Sequence, residues 1–305
     1  MKKIIITGAN GLLGQKLVYL LANQENVHIL ATARGDCRFS VPKTLTYQSL
    51  DITDTEACES LFDKFKPDVL IHAAAMTQVD TCEDERETCD LINITGVSNL
   101  IKAIGHRNTH FVHISTDFIY EGDEEEYFED SKVNPLSYYG RSKWKSEQLF
   151  EQVTFPYSIL RTVLVYGVLE DLSRSNIVLW AKSALEKGEK INVVDDQYRC
   201  PTLAEDLACA CLQVVQKNAT GVYHVSGKDF LSILELVFEI ADYWGLNKAL
   251  INSISTDSLN QKARRPLKTN LNLSKAKQWF NYQPKSFREG LKLVDEQIKN
   301  LKLKE

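Results

Sequence analysis

The stretch Ile4-Ile5-Ile6-Thr7-Gly8-Ala9-Asn10-Gly11-Leu12-Leu13-Gly14 decides the fold of this 305-residue chain. Its β-branched run predicts a strand, its glycines predict a tight turn, and its leucines begin the apolar face of a helix. Glycines placed in this way let the backbone approach a pyrophosphate, which is favoured at the positive end of a helix dipole. The spacing Gly8-x-x-Gly11-x-x-Gly14 is one residue longer than the usual dinucleotide fingerprint. We therefore predict a phosphate-binding turn.

Strands and helices alternate through the first half of the chain. Strands are predicted near residues 27–31, 45–50, 68–72 and 111–115, and helices near 55–65 and 86–106. The strand at 68–72 is almost entirely apolar, which is typical of a parallel strand buried on both faces. This alternation predicts an α/β fold with a Rossmann-type, doubly wound parallel sheet.

Elements of mixed spacing fill the second half of the chain. They include predicted helices near 138–152, 203–215, 231–244 and 287–301, and predicted strands near 157–160, 191–194 and 221–225. We expect an NAD(P)-binding domain over residues 1–166 and a smaller, mainly substrate-binding α/β domain over 167–305, with later segments free to return to the first sheet. Apolar neighbours at helical spacing predict that Trp180, Trp244 and Trp279 are core residues.

The overall composition gives no indication of nucleic-acid or membrane partners. Charged residues of both signs are interspersed and give a net charge of −5, and no apolar run is long enough to span a bilayer. The chain enters its first strand after two lysines, so we expect no signal peptide and a cytoplasmic location. The seven cysteines are scattered without zinc-site spacing, so no metal centre is predicted.

Polar or small residues follow the predicted strands, where the ligand of such a sheet would lie. Arg34 comes about 20 residues after Gly14, where an arginine can accommodate the 2′-phosphate of NADP. We therefore expect NADP(H), with NAD(H) as the alternative; a solvated arginine is the plain interpretation. Asp51-Ile52 could contact an adenine or cap a helix. Ala73-Ala74-Ala75 could let a cofactor pack closely or form an ordinary small-residue turn.

Tyr139 and Lys143 stand four residues apart at the start of a predicted helix and therefore share a face. A free tyrosine has a pKa near ~10, too high for ready acid–base work at neutral pH. We expect the Lys143 ammonium to lower the pKa of Tyr139, so that the phenol can protonate a carbonyl oxygen as hydride reaches its carbon. The Lys143 amine could also reach the ribose hydroxyls of a nicotinamide cofactor. A hydroxyl of Ser115 or Thr116 could hold the same carbonyl oxygen.

The motifs follow one another in the order seen in a known superfamily. Gly8-x-x-Gly11-x-x-Gly14, Ala73-Ala74-Ala75, Ser115-Thr116 and Tyr139-x-x-x-Lys143 together resemble the extended short-chain dehydrogenases/reductases. The more specific runs are Thr77-Gln78-Val79-Asp80-Thr81-Cys82-Glu83 and Asp196-Gln197-Tyr198-Arg199-Cys200-Pro201-Thr202. They resemble the dTDP-4-dehydrorhamnose reductase family of nucleotide-sugar 4-ketoreductases, and the resemblance covers nearly the whole chain.

This resemblance implies NAD(P)H-dependent reduction of the 4-keto group of a nucleotide-linked 6-deoxy sugar. It implies Tyr139 as proton donor, Lys143 as its electrostatic partner and Thr116 as the holder of the substrate oxygen. The implied cofactor contacts are Gly8, Asn10, Gly11, Leu12, Leu13, Gly14, Arg34, Asp51, Ile52, Ala73, Ala74, Ala75, Asn93, Ser115, Tyr139 and Lys143. The implied substrate contacts are Thr77, Val79, Asp80, Thr116, Asp117, Phe118, Tyr139 and Arg265. The sequence leaves a homodimer open.

Some positions depart from the family pattern near the sugar. Leu164 stands where these reductases often have tryptophan, and Arg199-Cys200 replaces smaller residues. Sugar-nucleotide dehydratases of the superfamily have a glutamate at the position of Phe118, where it takes part in eliminating water. Three functions therefore compete: a ketoreductase, an epimerase or dehydratase, and a non-catalytic NADP-binding regulatory subunit. The presence of both Tyr139 and Lys143 argues against the third.

Overall fold

The structure is a computed structural model, and it describes residues 1–171 and 175–303. The strands are β1 (Lys2–Thr7), β2 (Val27–Ala33), β3 (Leu45–Ser49), β4 (Val69–His72), β5 (His110–Thr116), β6 (Tyr157–Thr162), β7 (Val165–Tyr166), β8 (Ile191–Val194), β9 (Tyr198–Arg199), β10 (Thr202–Leu203), β11 (Gly221–His224), β12 (Leu231–Ser232), β13 (Ile251–Ile254) and β14 (Lys268–Thr269). The α-helices are α1 (Leu12–Ala22), α2 (Thr55–Phe65), α3 (Val79–Asp84), α4 (Arg86–Asp90), α5 (Gly96–Ile104), α6 (Tyr138–Gln148), α7 (Ile177–Glu186), α8 (Ala204–Lys217), α9 (Ile233–Trp244), α10 (Ser274–Phe280) and α11 (Phe287–Lys302).

A seven-stranded parallel sheet organises the molecule, with the order β11-β6-β5-β4-β1-β2-β3. The chain starts in the middle at β1, moves to one edge through β2 and β3, and then crosses back to β4. The strand order therefore reverses beside β1, which is where such sheets open a crevice for a ligand. The predicted doubly wound α/β fold is confirmed.

Helices cover both faces of this sheet, as its apolar strands require. On one face, Leu17 of α1 and Leu207 of α8 share a buried cluster with Ile4 and Ile6 of β1. On the other face, helices α2 and α5 pack against Ile5 and the neighbouring strands. Successive β1 side chains therefore enter opposite cores, which is the period-two alternation of a strand.

A second core lies among α7, α9 and α11 and the parallel pair β8 and β13. The chain passes between the two cores more than once. After its first entry near Tyr166 it returns to the large sheet with α8 and β11, and again with α10. The predicted division at residue 166 and the roles of the two domains stay predictions.

Two sequence-based expectations differ from the structure. The long helix expected over 86–106 is α4, a π-helical turn at Leu91–Thr95, and α5. Trp180 is 41% exposed and Trp279 is 59% exposed, so the prediction that they are core residues was wrong. An apolar residue at helical spacing need not be covered when its helix lies at the edge of the packed region.

Substitution of Gly14 tests the packing of the first turn. A Cβ added at Gly14 would lie 2.2 Å from the Gly8 carbonyl oxygen and 2.6 Å from the Cα of Ala9, so the backbone would have to move. We expect Gly14→Ala to lower the free energy of unfolding by about 1–3 kcal/mol, the range seen for overpacking, in urea denaturation. Ser183→Ala, at an exposed position of α7, serves as the control and should stay within about 0.5 kcal/mol of the native protein. Equal midpoints and slopes for Gly14→Ala and the native protein would contradict the close contact.

Candidate active site

The glycine-rich turn brings the end of β1 against the end of β4. Gly8 has a φ of +73°, and a Cβ there would lie 2.6 Å from the Ala74 amide nitrogen. The following helix, α1, has no side-chain cap and no acidic residue in its first turn. The first N–H groups of α1 have no carbonyl partner within the helix, so they can donate hydrogen bonds to an anion. The turn and the helix end therefore fit the pyrophosphate that the sequence predicts.

Two adjoining cavities run along the carboxyl ends of the strands. The first has a volume of about 220 Å³ and the second about 490 Å³, and both are lined by Gly11 and by residues 73–75. These shared residues join the cavities into one groove across the reversal point of the sheet. The groove has the extended form that a dinucleotide with a second ligand at one end requires.

The smaller cavity has polar groups suited to the adenosine half of a cofactor. Its lining includes Asn10, Arg34, Asp51 and Ile52, all named from the sequence, and Arg38, which the sequence did not single out. The Asn10 side chain accepts a bond from the Arg38 amide at 2.9 Å, and so fixes the loop that carries both arginines. Asp51 accepts from the amide and the hydroxyl of Thr53, as a turn residue would, while still facing the cavity.

The larger cavity collects the predicted catalytic side chains. Thr116 at the end of β5 and Tyr139 and Lys143 on the first turns of α6 all line it. Helix α6 is fixed there by its N-cap, because the Ser137 hydroxyl accepts from the Gly140 amide at 3.1 Å. The same cavity is lined by Leu12, Leu13 and Gly14 of α1 and by Ser115, which the sequence also placed at the cofactor. The phenol and the amine thus face one common space.

The expected effect of Lys143 on Tyr139 is not present in this structure. Burial raises the pKa of Tyr139 above its ordinary value, with Asp117 acting in the same direction and a hydrogen bond from Thr116 opposing it. Burial also lowers the pKa of Lys143 to about 8. The prediction of a lowered phenol pKa was therefore wrong, because desolvation of the buried phenol is the largest influence on it. The Lys143 amine lies 3.3 Å from Nε2 of His113.

The substrate side of the cavity is lined by Thr77, Val79, Asp117 and Phe118, as the resemblance implies. The buried Asp117 carboxylate accepts from the Thr269 hydroxyl at 2.6 Å and lies 3.7 Å from Nε of Arg199. Burial raises the pKa of Asp117 while the Arg199 guanidinium opposes that shift. Asp117 is thus part of the cavity wall, and its carboxylate is paired with Arg199 and Thr269.

Arg199 is the departure from the family pattern that the structure explains. Its guanidinium is buried and donates to the carbonyl oxygens of Tyr198, Pro266 and Leu267. It also lies over the Phe118 ring, with 5.9 Å from the guanidinium carbon to the ring centroid. These bonds tie β9 to the segment before β14, so Arg199 builds the wall of the cavity.

Arg265 lines the cavity, but Asp80, the other charged residue expected to contact substrate besides Asp117, lies outside the lining among the described residues. Asp80 binds Arg265 through both carboxylate oxygens, with Nη2–Oδ2 at 2.7 Å and Nη1–Oδ1 at 3.2 Å. It also accepts from the Ala263 amide at 3.0 Å. Asp80 therefore orients Arg265, and both of its carboxylate oxygens are bound to protein groups and not directed to a substrate.

Asn93 also lies outside both cavity linings in the part of the chain that the structure describes. It is buried in the π-helical turn, where its amide accepts from the Met76 N–H at 2.9 Å and donates to the Met76 carbonyl at 3.0 Å. It donates to the Ser142 hydroxyl as well, at 3.0 Å. Asn93 therefore supports the loop after β4 and helix α6 through these bonds, and a contact with cofactor stays a prediction.

Further residues line the larger cavity that sequence patterns did not mark as site residues. They are Ile114, Thr162, Leu164, Val165, Leu169, Ser175, Asn176, Gln197, Arg199, Leu207 and Ile233. Several come from the second half of the chain, where Leu164 and Arg199 had been noted only as departures from the family pattern near the sugar. The run from Asp196 to Thr202 contains Gln197 and Arg199. It indicated membership of a family but did not predict that these two residues line the cavity.

Comparison with known proteins agrees with this geometry. The family model for the RmlD substrate binding domain matches residues 1–300. The chain belongs to the RmlD family. A dTDP-4-dehydrorhamnose reductase of Aggregatibacter actinomycetemcomitans is 31% identical, over 96% of this chain and 98% of that protein. The methionine adenosyltransferase 2 subunit beta of Xenopus laevis is 29% identical, over 95% of this chain and 86% of the relative.

Solved structures give the same family. A dTDP-4-dehydrorhamnose reductase from Clostridium acetobutylicum superposes with a TM-score of 0.84 at 29% identity, covering 97% of this chain and 99% of the other. A second one from Bacillus anthracis, in complex with NADP, gives 0.82 at 29% identity, covering 97% and 100%. The predicted membership of the extended short-chain dehydrogenase/reductase superfamily, nearest the dTDP-4-dehydrorhamnose reductases, is confirmed. The predicted enzyme class, an NAD(P)-dependent oxidoreductase, is that of these named reductases.

Two other features, a metal-binding cluster and a membrane-spanning helix, are not found among the described residues. Among residues 1–171 and 175–303, no group of three or more His, Cys, Asp or Glu side chains could hold a metal ion. No helix in that part of this RmlD-family protein has the length and apolar character needed to cross a bilayer.

Asn93→Ala tests whether this amide supports the site from behind. The change leaves the N–H and carbonyl of Met76 buried without their partner, and each such group costs about 1–3 kcal/mol. We expect a loss of about 2 kcal/mol or more in urea denaturation. Asn192→Ala, at an exposed position of β8, is the control and should change stability by less than about 0.5 kcal/mol. Undiminished stability of Asn93→Ala, with weaker NADPH binding alone, would return Asn93 to the cofactor site.

Proposed function

We propose that this RmlD-family protein is an NADPH-dependent reductase of the 4-keto group of a nucleotide-linked 6-deoxy sugar, as in dTDP-L-rhamnose synthesis. The observation behind this proposal is that Thr116, Tyr139 and Lys143 line the same cavity as the glycine-rich turn and residues 73–75. Proton donor, cation and cofactor turn therefore meet in one place. The named reductases among its relatives supply the substrate class.

The chain's own residues suit the proton half of such a reduction. NADPH, when bound, supplies the hydride for the carbonyl carbon. Tyr139 donates its phenolic proton to the carbonyl oxygen, and the Thr116 hydroxyl orients that oxygen. The Tyr139 phenol is protonated at neutral pH, as a proton donor must be, and its raised pKa makes it a weaker acid than a free tyrosine. As the phenolate forms, the Lys143 cation, which lines the same cavity, stabilises it.

Phe118 favours reduction over dehydration. Its side chain lines the cavity beside Tyr139, with ring centroids 5.7 Å apart, at the position where dehydratases have a glutamate. An aromatic ring can neither remove nor deliver the second proton that elimination of water needs. Epimerisation remains the alternative chemistry, since it uses the same Tyr139 and Lys143 with a retained cofactor.

The deciding experiment follows NADPH consumption by its absorbance with dTDP-4-keto-6-deoxy-L-lyxo-hexulose and a panel of other nucleotide sugars. Consumption with one 4-keto sugar supports the reductase. Bound NADP after purification without net reduction of any keto sugar would favour an epimerase. NADP binding with no turnover of any kind would favour a regulatory subunit, as the similarity to a methionine adenosyltransferase subunit allows.

Removal of the Tyr139 hydroxyl tests the proton donor. We expect Tyr139→Phe to lower kcat by roughly 100-fold or more, the range of lost general acid catalysis, while the NADPH Kd stays within a few-fold. Tyr138→Phe is the matched control, because the neighbouring Tyr138 directs its hydroxyl to Asp90 at 2.8 Å. Full turnover by Tyr139→Phe would remove this mechanism.

Arg34 tests the cofactor preference. Its side chain lines the smaller cavity at the place expected for a 2′-phosphate. We expect Arg34→Ala to lower kcat/KM for NADPH about tenfold and to change that for NADH little, because a charge-assisted hydrogen bond to phosphate is lost. Arg86→Ala, whose guanidinium pairs with Glu83 at 3.0 Å, is the control. Equal losses with both cofactors would exclude a role of Arg34 in the preference.

A further inference from the structure

A row of buried polar side chains runs across three neighbouring strands beneath the active site. Thr7 of β1 pairs in register with His72 of β4, and His72 pairs with His113 of β5. The two imidazole rings stack with centroids 5.5 Å apart and planes 15° apart, and the Thr7 hydroxyl lies 2.7 Å from Nδ1 of His72. The row thus extends from the base of the glycine-rich turn to the catalytic helix.

The row ends at the amine of Lys143. Nζ of Lys143 lies 3.3 Å from Nε2 of His113. Ser146 is also near that nitrogen, at 3.1 Å, but its hydroxyl donates to the Lys143 carbonyl oxygen at 2.7 Å. An ammonium group has only hydrogens to offer, so a hydrogen bond from Lys143 takes the lone pair of Nε2 and places the ring proton on Nδ1. The opposite tautomer would donate from Nε2 to the Ser146 oxygen instead.

The tautomer with the proton on Nδ1 leaves a buried group without a partner. Nδ1 of His113 has no hydrogen-bond partner among the described residues. An unpaired buried N–H is costly, so with this tautomer the hydrogen bond from Lys143 has to offset that cost. The ring is also neutral, because burial holds the pKa of His113 well below its usual range and the Lys143 and His72 charges act in the same direction.

We propose that His113 is a positioning residue that holds the Lys143 ammonium in the catalytic cavity by accepting a hydrogen bond through its neutral Nε2. The proposal deepens the proposed function and rests on it for the role of Lys143. A neutral acceptor fixes the direction of the amine without cancelling its charge. A carboxylate at this position would form an ion pair and reduce the field that Lys143 exerts on Tyr139.

Among the described residues, the acid nearest to Lys143 on α6 is bound elsewhere, so His113 is the group that holds the Lys143 amine. Glu147 is the nearest acid on α6, but it is bound to Arg161 of β6 in a buried pair, with Nη2–Oε2 at 2.7 Å and two further contacts at 3.2 Å. The titratable groups that act on Lys143 are Glu147 of α6 and Cys89 of α4, and His72 of β4 acts on His113. Within the described chain, the hydrogen bond of the Lys143 amine goes to His113.

The test compares His113→Leu, which removes the acceptor, with His113→Gln, whose amide oxygen can replace it. Each protein is labelled with 13C at Cε of lysine, and Lys143 is assigned by the signal lost in Lys143→Arg. We expect Lys143 in the native chain to titrate with a pKa of about 8. In His113→Leu the pKa should fall by about one unit, because the ammonium loses its acceptor, and in His113→Gln it should lie near the native value.

Kinetics add a readout that a purely structural role would not move. The alkaline limb of the kcat profile should shift to lower pH in His113→Leu and return toward the native position in His113→Gln, with kcat about tenfold lower in His113→Leu. His110→Leu is the matched control, because His110 is a buried histidine of the same strand that bonds Ser158 at 2.7 Å. It should leave the Lys143 signal and the alkaline limb unchanged.

Two results would overturn the inference. One is a 15N spectrum that places the ring proton of His113 on Nε2 in the native protein. The other is an unchanged Lys143 pKa in His113→Leu. Both are measured without a sugar substrate, so a failure of the proposed function would show itself separately, as absent turnover of the keto-sugar panel by a native protein whose Lys143 behaves as described.

Discussion

The close contact between the first turn and the end of β4 is the constraint on which the site depends. Gly8 can lie against Ala73 and Ala74 because neither the glycine nor the alanines carry a side chain that would separate the strands. This contact sets the uncapped end of α1 beside residues 73–75, and both then border the same groove. A side chain at position 8 would meet the backbone of Ala73 and Ala74 and force the two strand ends apart.

Among the described buried charges beneath the groove, two arginines are paired with carboxylates, whereas the Lys143 ammonium forms no such ion pair. Arg161 and Glu147 form a buried pair, and the Ser115 and Tyr120 hydroxyls complete it. Asp117 is likewise held by Arg199 and Thr269. Lys143 is directed to a neutral imidazole instead. In a low-dielectric site an ammonium without a paired carboxylate keeps most of its field, which under the proposed function is available to stabilise a phenolate as it forms.

The sequence marked the residues whose chemistry is tied to a short local pattern. Gly8, Gly11 and Gly14 mark a turn, and Tyr139 and Lys143 share a helix face, so spacing alone brings each group together. Short sequence patterns did not predict the partners or the exposure of residues whose surroundings depend on tertiary packing. Asn93 and Asp80 proved to bind protein groups, and the exposure of Trp180 and Trp279 depends on which elements happen to cover them.

By itself, the sequence determined the parallel sheet, the glycine-rich turn and the family, because each depends on residue type at fixed intervals along one or two elements. The tertiary structure decided which distant side chains meet. It placed Arg199 against Phe118, His113 under Lys143, and Tyr139 in surroundings that raise its pKa instead of lowering it. The reason is physical: desolvation and pairing depend on every element packed around a group, and those elements come from all parts of the chain.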